Sequence, residues 1–112
     1  WSTQYGRVLS TRRGLALYSF AADGQGHSRC YGECASRWPP LTTPGRPGAR
    51  APARGRLLGT TRRRDGSLQV TYRGHPLYRY VGDRRAGQVL CQNVAEFGGL
   101  WTVVTPAGAP VH

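Results

Sequence analysis

Hydrophobic and polar residues alternate over short stretches of this chain. Within residues 68–73 the apolar positions are Leu68, Val70 and Tyr72, and the polar positions are Gln69, Thr71 and Arg73. A period of two predicts a half-buried β-strand, and Arg73–Gly74 then supplies a turn. Residues 15–20 follow a similar pattern, in which Tyr18 and Phe20 share one strand face. The pattern therefore predicts β-hairpins.

The two stretches belong to an internal repeat with an offset of 60. Residues 6–23, GRVLSTRRGLALYSFAAD, align without a gap with residues 66–83, GSLQVTYRGHPLYRYVGD. Seven of the eighteen aligned positions are identical, and they include Tyr18 with Tyr78 and Asp23 with Asp83. A fixed offset of this kind indicates a duplicated structural unit.

The other elements complete an all-β prediction. Strands are expected at residues 57–61 and 100–105, and a Pro/Gly/Arg-rich loop, which separates the copies, at 39–55. A short helix is expected at 30–37 and a frayed tail at 106–112. We predict one domain over residues 1–112, with repeat one at about 6–38 and repeat two at about 56–105, forming a small barrel or sandwich of two pseudo-symmetric hairpin repeats.

The charge balance is strongly basic. All 16 basic residues are arginines, and with only five acidic residues the net charge is +11. Two interpretations remain open: a coding bias that favours arginine, or a polyanion surface at Arg12, Arg13, Arg62, Arg63, Arg64, Arg84 and Arg85. No stretch approaches the roughly 18 apolar residues of a membrane helix. The chain begins at Trp1 and has no methionine, so we expect that a signal peptide or another leading segment has been removed.

Several motifs together resemble a known bacterial family, the secreted repeats of unknown function. They are the repeated Tyr-x-aromatic-x-x-Asp at residues 18–23 and 78–83, SRCYGECASRWPPL at 28–41, RRDGSLQVTYRGHPLY at 63–78 and FGGLWTVVTPAG at 97–108. The resemblance spans residues 6–108. It implies a protein that is secreted or lipid-anchored at the bacterial cell envelope, with no established activity. The chain departs from the family at Cys91-Gln92-Asn93, where relatives tend to read GQG.

The three cysteines allow two kinds of site. In the oxidising compartment that the resemblance implies, we expect one disulfide, with Cys30–Cys34 favoured over Cys30–Cys91. The alternative is a copper, zinc or redox site that uses Cys30 and Cys34 with Cys91 or His27, since thiolate and imidazole suit these metals. Apart from this alternative, we expect no cofactor.

Enzyme signatures are missing from the sequence. There is no GxSxG, phosphate loop or HExxH, and two of the five acids occupy duplicated turn positions. His75 aligns with Leu15, which favours a structural role over that of a catalytic base. The repeated aromatic residues are interpreted as core rather than as a stacking platform for bases or sugars. We therefore predict a non-enzymatic extracytoplasmic binding or scaffold domain, whose partner is another envelope or extracellular protein, or an anionic surface, rather than nucleic acid.

Overall fold

A computed structural model describes the chain except for residues 1, 4, 5, 12, 13, 24–26, 46, 47, 49–54, 86, 87, 91 and 109–112, and describes only the backbone of residues 2, 3, 6 and 7. The described part is mostly β. Its strands are β1 (Ser2–Thr3), β2 (Gly6–Arg7), β3 (Tyr18–Phe20), β4 (Thr42–Thr43), β5 (Leu58–Arg62), β6 (Leu68–Tyr72), β7 (His75–Pro76), β8 (Val94–Glu96) and β9 (Gly99–Val103). One α-helix, α1, covers Glu33–Arg37, and a 3-10 turn covers Gly55–Leu57. Within this described part, no helix has the length and apolar character needed to cross a bilayer.

Two antiparallel sheets form most of the structure. One has the order β3-β9-β8, and the other has the order β4-β6-β5, with β7 also paired to β6. A separate two-stranded ribbon joins β1 and β2. The described strands do not close into a barrel, so of the two predicted architectures the sandwich-like one is confirmed.

Each repeat completes its sheet with a strand from the other repeat. In repeat one, β3 pairs with β9, which contains Trp101 near the end of repeat two. In return, the segment that follows Trp38 joins repeat two, where Pro40 bridges to Tyr78 and β4 pairs with β6. The two repeats therefore exchange the segments around their tryptophans within one chain.

Alternation along the strands places side chains in two interior clusters. An aromatic cluster contains Tyr18, Phe20, Trp38, Tyr78 and Trp101, together with Val8, Ala16, Cys30, Cys34 and Val103. An aliphatic cluster lies on the other strand face and contains Leu9, Leu17, Val70, Tyr72, Leu77 and Val104. The predicted pseudo-twofold core of aromatic residues is confirmed, because these rings are buried and contact one another across the two repeats.

The hairpin turn of repeat two has the backbone that its sequence predicts. Arg73 and Gly74 both have positive φ, at 50° and 81°. Two successive residues with positive φ fit a tight two-residue hairpin, in which glycine avoids the strain of a side chain. In repeat one the hairpin is marked by the Ser10–Ala16 bridge, and Gly14 has a φ of 85°.

Several boundaries differ from the predictions. The loop was predicted to begin at residue 39, but the chain is still paired beyond that point. Pro40 bridges to Tyr78, and Thr42–Thr43 forms β4. The helix is shorter than 30–37, since Gly32 at its N-cap has a φ of 62°. The start of the expected tail is anchored rather than frayed, because Tyr72 Oη donates to the carbonyl oxygen of Pro106 and Gly108 is buried. Strand β8 was not predicted.

Candidate functional site

The repeated tyrosine and aspartate bond to each other across the two repeats. Tyr18 Oη donates to Asp83 Oδ2 at 2.5 Å, and Tyr78 Oη donates to Asp23 Oδ2 at 2.7 Å. The backbones of the two tyrosines also pair, with N–H···O distances of 2.8 and 2.9 Å. We call these four side chains the Tyr–Asp lock. The motif that marks each repeat therefore joins the repeats together.

Each aspartate of the lock also accepts a backbone hydrogen bond from a later residue of its own repeat. Asp23 Oδ1 accepts from the backbone N–H of Arg29 at 2.7 Å, and Asp83 Oδ1 accepts from that of Leu90 at 3.0 Å. Burial raises the pKa of both carboxyls above the ordinary value of 3.8, despite these hydrogen bonds. In both repeats the aspartate thus joins two points of its own repeat as well as the two repeats to each other.

A buried arginine distinguishes the two halves of the lock. Tyr78 donates to Asp23, so its oxygen accepts from Ser28 Oγ at 2.5 Å, and Ser28 accepts from Arg63 Nη1 at 3.0 Å. Burial and the nearby Asp23 carboxylate raise the pKa of Tyr78 well above its ordinary value. A directed hydrogen-bond chain thus runs from a guanidinium to a carboxylate in this half.

Arg63 is held in place by further neutral acceptors. It is only 6% exposed, and it donates to Gln69 Oε1 at 2.8 Å and to the carbonyl oxygen of Cys30 at 2.6 Å. Nothing in the alternation of residues 62–64 distinguished this arginine from its neighbours. The sequence therefore placed Arg63 in a surface cluster, whereas the structure places it in the interior.

Two arginines contact the ring of Tyr31. The guanidinium carbon Cζ lies 4.3 Å from the ring centroid for Arg63 and 4.1 Å for Arg64. Arg64 is exposed, and so are Arg62, two residues before it, and Arg29, two residues before Tyr31. Such cation–π contacts hold a guanidinium against an aromatic face. We call Tyr31 with Arg63 and Arg64 the Tyr31 clamp.

The cysteines that the structure describes form a disulfide. Cys30 and Cys34 are bonded to each other, with their Cα atoms 5.2 Å apart, and both are buried. This is the pairing that the sequence favoured. In this bridged form the two sulfurs are not thiolates, which are the form of cysteine that binds zinc or copper. Cys91 lies outside the described residues.

The remaining candidate residues are scattered. His27 is exposed, and among the described residues no group of three or more His, Cys, Asp or Glu side chains is arranged to hold a metal ion. Arg84 and Arg85 are exposed in the turn after Asp83, where the backbone N–H of Arg84 donates to Gln88 Oε1. Arg12 and Arg13 lie outside the described residues.

The segments of the chain that match a known protein family coincide with the two repeats. A family model described as a secreted repeat of unknown function matches residues 1–42 and 59–105. The chain belongs to this family. The resemblance noted in the sequence is thereby confirmed, and each matched segment corresponds to one repeat. No curated protein and no solved structure matches the chain.

Glu96 holds a position in this secreted repeat that the sequence did not indicate. Its Oε1 accepts from Trp38 Nε1 at 3.1 Å, and its Oε2 pairs with Arg37 at 2.9 Å. The indole N–H of Trp101 donates to the Glu96 carbonyl oxygen at 3.1 Å. One residue thus satisfies the polar edges of both central tryptophans, as buried indoles require.

Proposed function

We propose that this secreted repeat is a non-enzymatic extracytoplasmic domain that binds a partner carrying closely spaced anionic groups. The two interlocked repeats act as the scaffold, and the exposed Arg64 of the Tyr31 clamp, which the buried Arg63 and the Tyr31 ring support from below, acts as the centre of the binding surface. The family description supports the location outside the cytoplasm. The contacts of the charged residues support the rest of the proposal.

Four of the five acidic side chains favour a structural over a catalytic role. Asp23 and Asp83 accept from the lock tyrosines, and Glu96 accepts from Trp38 and Arg37. Asp65 accepts from the backbone and hydroxyl of Ser67, which lowers its pKa within a hairpin turn. A general acid or base must reach a substrate proton. Carboxyls that are occupied in this way are poorly suited to that task.

The observation that carries the binding proposal is the arrangement of positive charge around one aromatic ring. Among the arginine side chains that the structure describes, only Arg37 forms an ion pair with an acid. At the clamp, two guanidiniums are held against Tyr31, and the charge of the buried one, Arg63, also acts on the carboxyls of Asp23 and Asp65. The exposed guanidinium of Arg64 adds to the positive potential at the surface, which an anionic partner relieves.

The geometry of arginine indicates the chemistry of the partner. A guanidinium presents paired N–H donors that match the oxygens of phosphate, sulfate or carboxylate groups. The exposed Arg64 is oriented by its contact with Tyr31, so less side-chain entropy is lost when it binds. We therefore propose an anionic polymer at the cell envelope as the partner.

The test compares two exposed arginines that carry the same charge. Heparin serves as the polyanion probe, and its affinity is measured by calorimetry at about 0.15 M salt, where nonspecific attraction is screened. We expect Arg64→Gln to weaken binding several-fold. The control, Arg56→Gln, removes one exposed charge in the 3-10 turn Gly55–Leu57, which is not part of the clamp, and should leave the affinity nearly unchanged. Equal losses in both variants, or no binding by the unmodified chain at this salt, would contradict the proposal.

A further inference from the structure

Neither repeat supplies all the strands of its own sheet. The register of β3 on β9 pairs Tyr18 with Val103 and Phe20 with Trp101, so repeat two completes the sheet of repeat one. The reverse contact pairs Thr42 with Gln69, and the carbonyl of Leu41 accepts from the backbone N–H of Val70. A repeat without a second repeat would expose the strand edges that these pairs cover.

The interior is divided between the repeats in the same way. Trp38 stacks on Trp101 with ring centroids 4.1 Å apart, and each bond of the Tyr–Asp lock joins one repeat to the other. These contacts form between a first repeat and a second repeat. They do not require both copies to come from the same chain.

We propose that two copies of this chain exchange repeats, so that repeat one of each copy pairs with repeat two of the other. The partner for this interface is thus a second copy of the chain. Every contact between repeats is formed twice in such a dimer, and only the path of the segment between β4 and β5 changes. Exchange of identical elements is a low-cost route to a dimer for this reason.

The distance that the connecting segment must span decides between the closed chain and the dimer. Strands β4 and β5 lie on opposite sides of β6, and Thr43 pairs with Leu68 whereas Leu58 pairs with Tyr72. Two strand spacings of about 4.8 Å and four residues along β6 at about 3.3 Å separate Thr43 from Leu58 by roughly 16 Å. Residues 44–57 are long enough to cover this distance within one chain. The closed monomer is therefore favoured in dilute solution, because its repeats are at a high effective concentration.

Shortening the connection removes the closed form. Deleting residues 44–54 leaves Gly55–Leu57 between the two strands, which span at most about 14 Å when fully extended. We expect this variant to be a dimer by light scattering. A matched deletion of residues 49–53 leaves nine connecting residues, enough for about 30 Å, and should remain a monomer.

A cross-link distinguishes exchanged from closed repeats. Ser19 and Thr102 lie directly opposite each other on β3 and β9, at a separation suited to a disulfide. With Ser19→Cys and Thr102→Cys in a Cys91→Ser background, the 44–54 deletion should give a covalent dimer on non-reducing electrophoresis. The same cysteine pair in the chain without the deletion should give an internal link when the chain is refolded dilute and a growing dimer fraction when it is refolded concentrated.

Two results would overturn the proposal. One is a folded 44–54 deletion variant that stays monomeric with an internal link. The other is a full-length chain that forms internal links alone at every refolding concentration. The second measurement decides the question even where the deletion variant does not fold. Neither result bears on the anion-binding surface, which heparin affinity tests separately.

Discussion

Trp38 and Trp101 stack face to face, with ring centroids 4.1 Å apart and planes inclined by 5°. They hold comparable places, because each lies near the end of its own repeat: Trp38 comes just before Pro40, which bridges to Tyr78, and Trp101 lies within β9, which pairs with β3. Tyr18 meets Trp38 edge-on, and Tyr78 meets Trp101 in the same way. A pseudo-twofold axis thus relates the two rings, and the stack joins the halves at the centre of the aromatic cluster.

Removing the phenol hydroxyl of Tyr18 should weaken the junction between the repeats. Tyr18→Phe keeps the ring contact with Trp38 but leaves Asp83 Oδ2 without this donor in the interior. Loss of a buried hydrogen bond to a carboxyl costs about 1 to 3 kcal/mol. Chemical denaturation should therefore show a fall of this size in the free energy of unfolding.

Tyr31→Phe is the matched control for this substitution. The ring of Tyr31 makes its arginine contacts, so removing the hydroxyl should change the unfolding free energy by no more than about 0.5 kcal/mol. Equal losses for Tyr18→Phe and Tyr31→Phe would contradict a structural role for the lock.

The buried lock carboxyl of Asp83 should contribute more to stability at acidic pH than at neutral pH. Burial raises the pKa of Asp83 above its ordinary value of 3.8, so the folded state binds a proton more tightly than the unfolded state. Its contribution is therefore fully present below pH 3.8 and is lost as pH rises through the raised pKa. The difference in unfolding free energy between the unmodified chain and Asp83→Asn should grow as the solution is acidified from neutral pH.

Asp65 provides a control of opposite sign. Hydrogen bonds from Ser67 lower its pKa, so its contribution is present above pH 3.8 and is lost as pH falls through the lowered pKa. The corresponding difference for Asp65→Asn should shrink on acidification. Denaturation midpoints measured between about pH 2 and pH 7 test both trends, since the range extends on both sides of the ordinary aspartate pKa of 3.8. Parallel trends would show that the lock carboxyl is not desolvated.

The sequence predicted the pseudo-symmetric core because duplication and strand alternation act together. Leu17 with Leu77, and Tyr18 with Tyr78, occupy matching faces in both copies, so a shared interior followed from the pattern. The partners inside that interior did not follow from it. Sequence alignment matches Tyr18 to Tyr78 and Asp23 to Asp83, but it does not reveal that each tyrosine bonds the aspartate of the other copy.

The exchange of segments was missed for a similar reason. Pro39 and Pro40 usually mark a connection, since proline lacks a backbone donor, and this placed the whole of 39–55 in a loop. Pro40 nevertheless lies against Tyr78, and Leu41 donates to the carbonyl of Leu77. Pairing between distant segments depends on the closed tertiary structure. Local composition does not encode it.

Arg63 and its neighbour Arg64 should differ in how much each contributes to the stability of the fold. Arg63→Met removes the donors to Ser28, Gln69 and the Cys30 carbonyl, and unsatisfied buried acceptors of this kind should cost about 2 to 4 kcal/mol. Arg64→Met alters an exposed side chain and should change stability by no more than about 0.5 kcal/mol. Thermal and chemical denaturation of both variants check this difference. A fully stable Arg63→Met protein would contradict a structural role for the buried guanidinium.

The disulfide should leave a defined thiol count and a measurable contribution to stability. With Cys30 and Cys34 bridged, the unreduced, denatured chain should react with a thiol reagent at one cysteine, and at three after reduction. Cys91→Ser should lower the first count to zero. Closing so short a loop restricts the unfolded chain by about 2 kcal/mol, so Cys30→Ala with Cys34→Ala should lower the unfolding free energy by about that amount. Three reactive thiols before reduction would instead favour the metal or redox site considered for these residues, because its sulfurs must be unbridged.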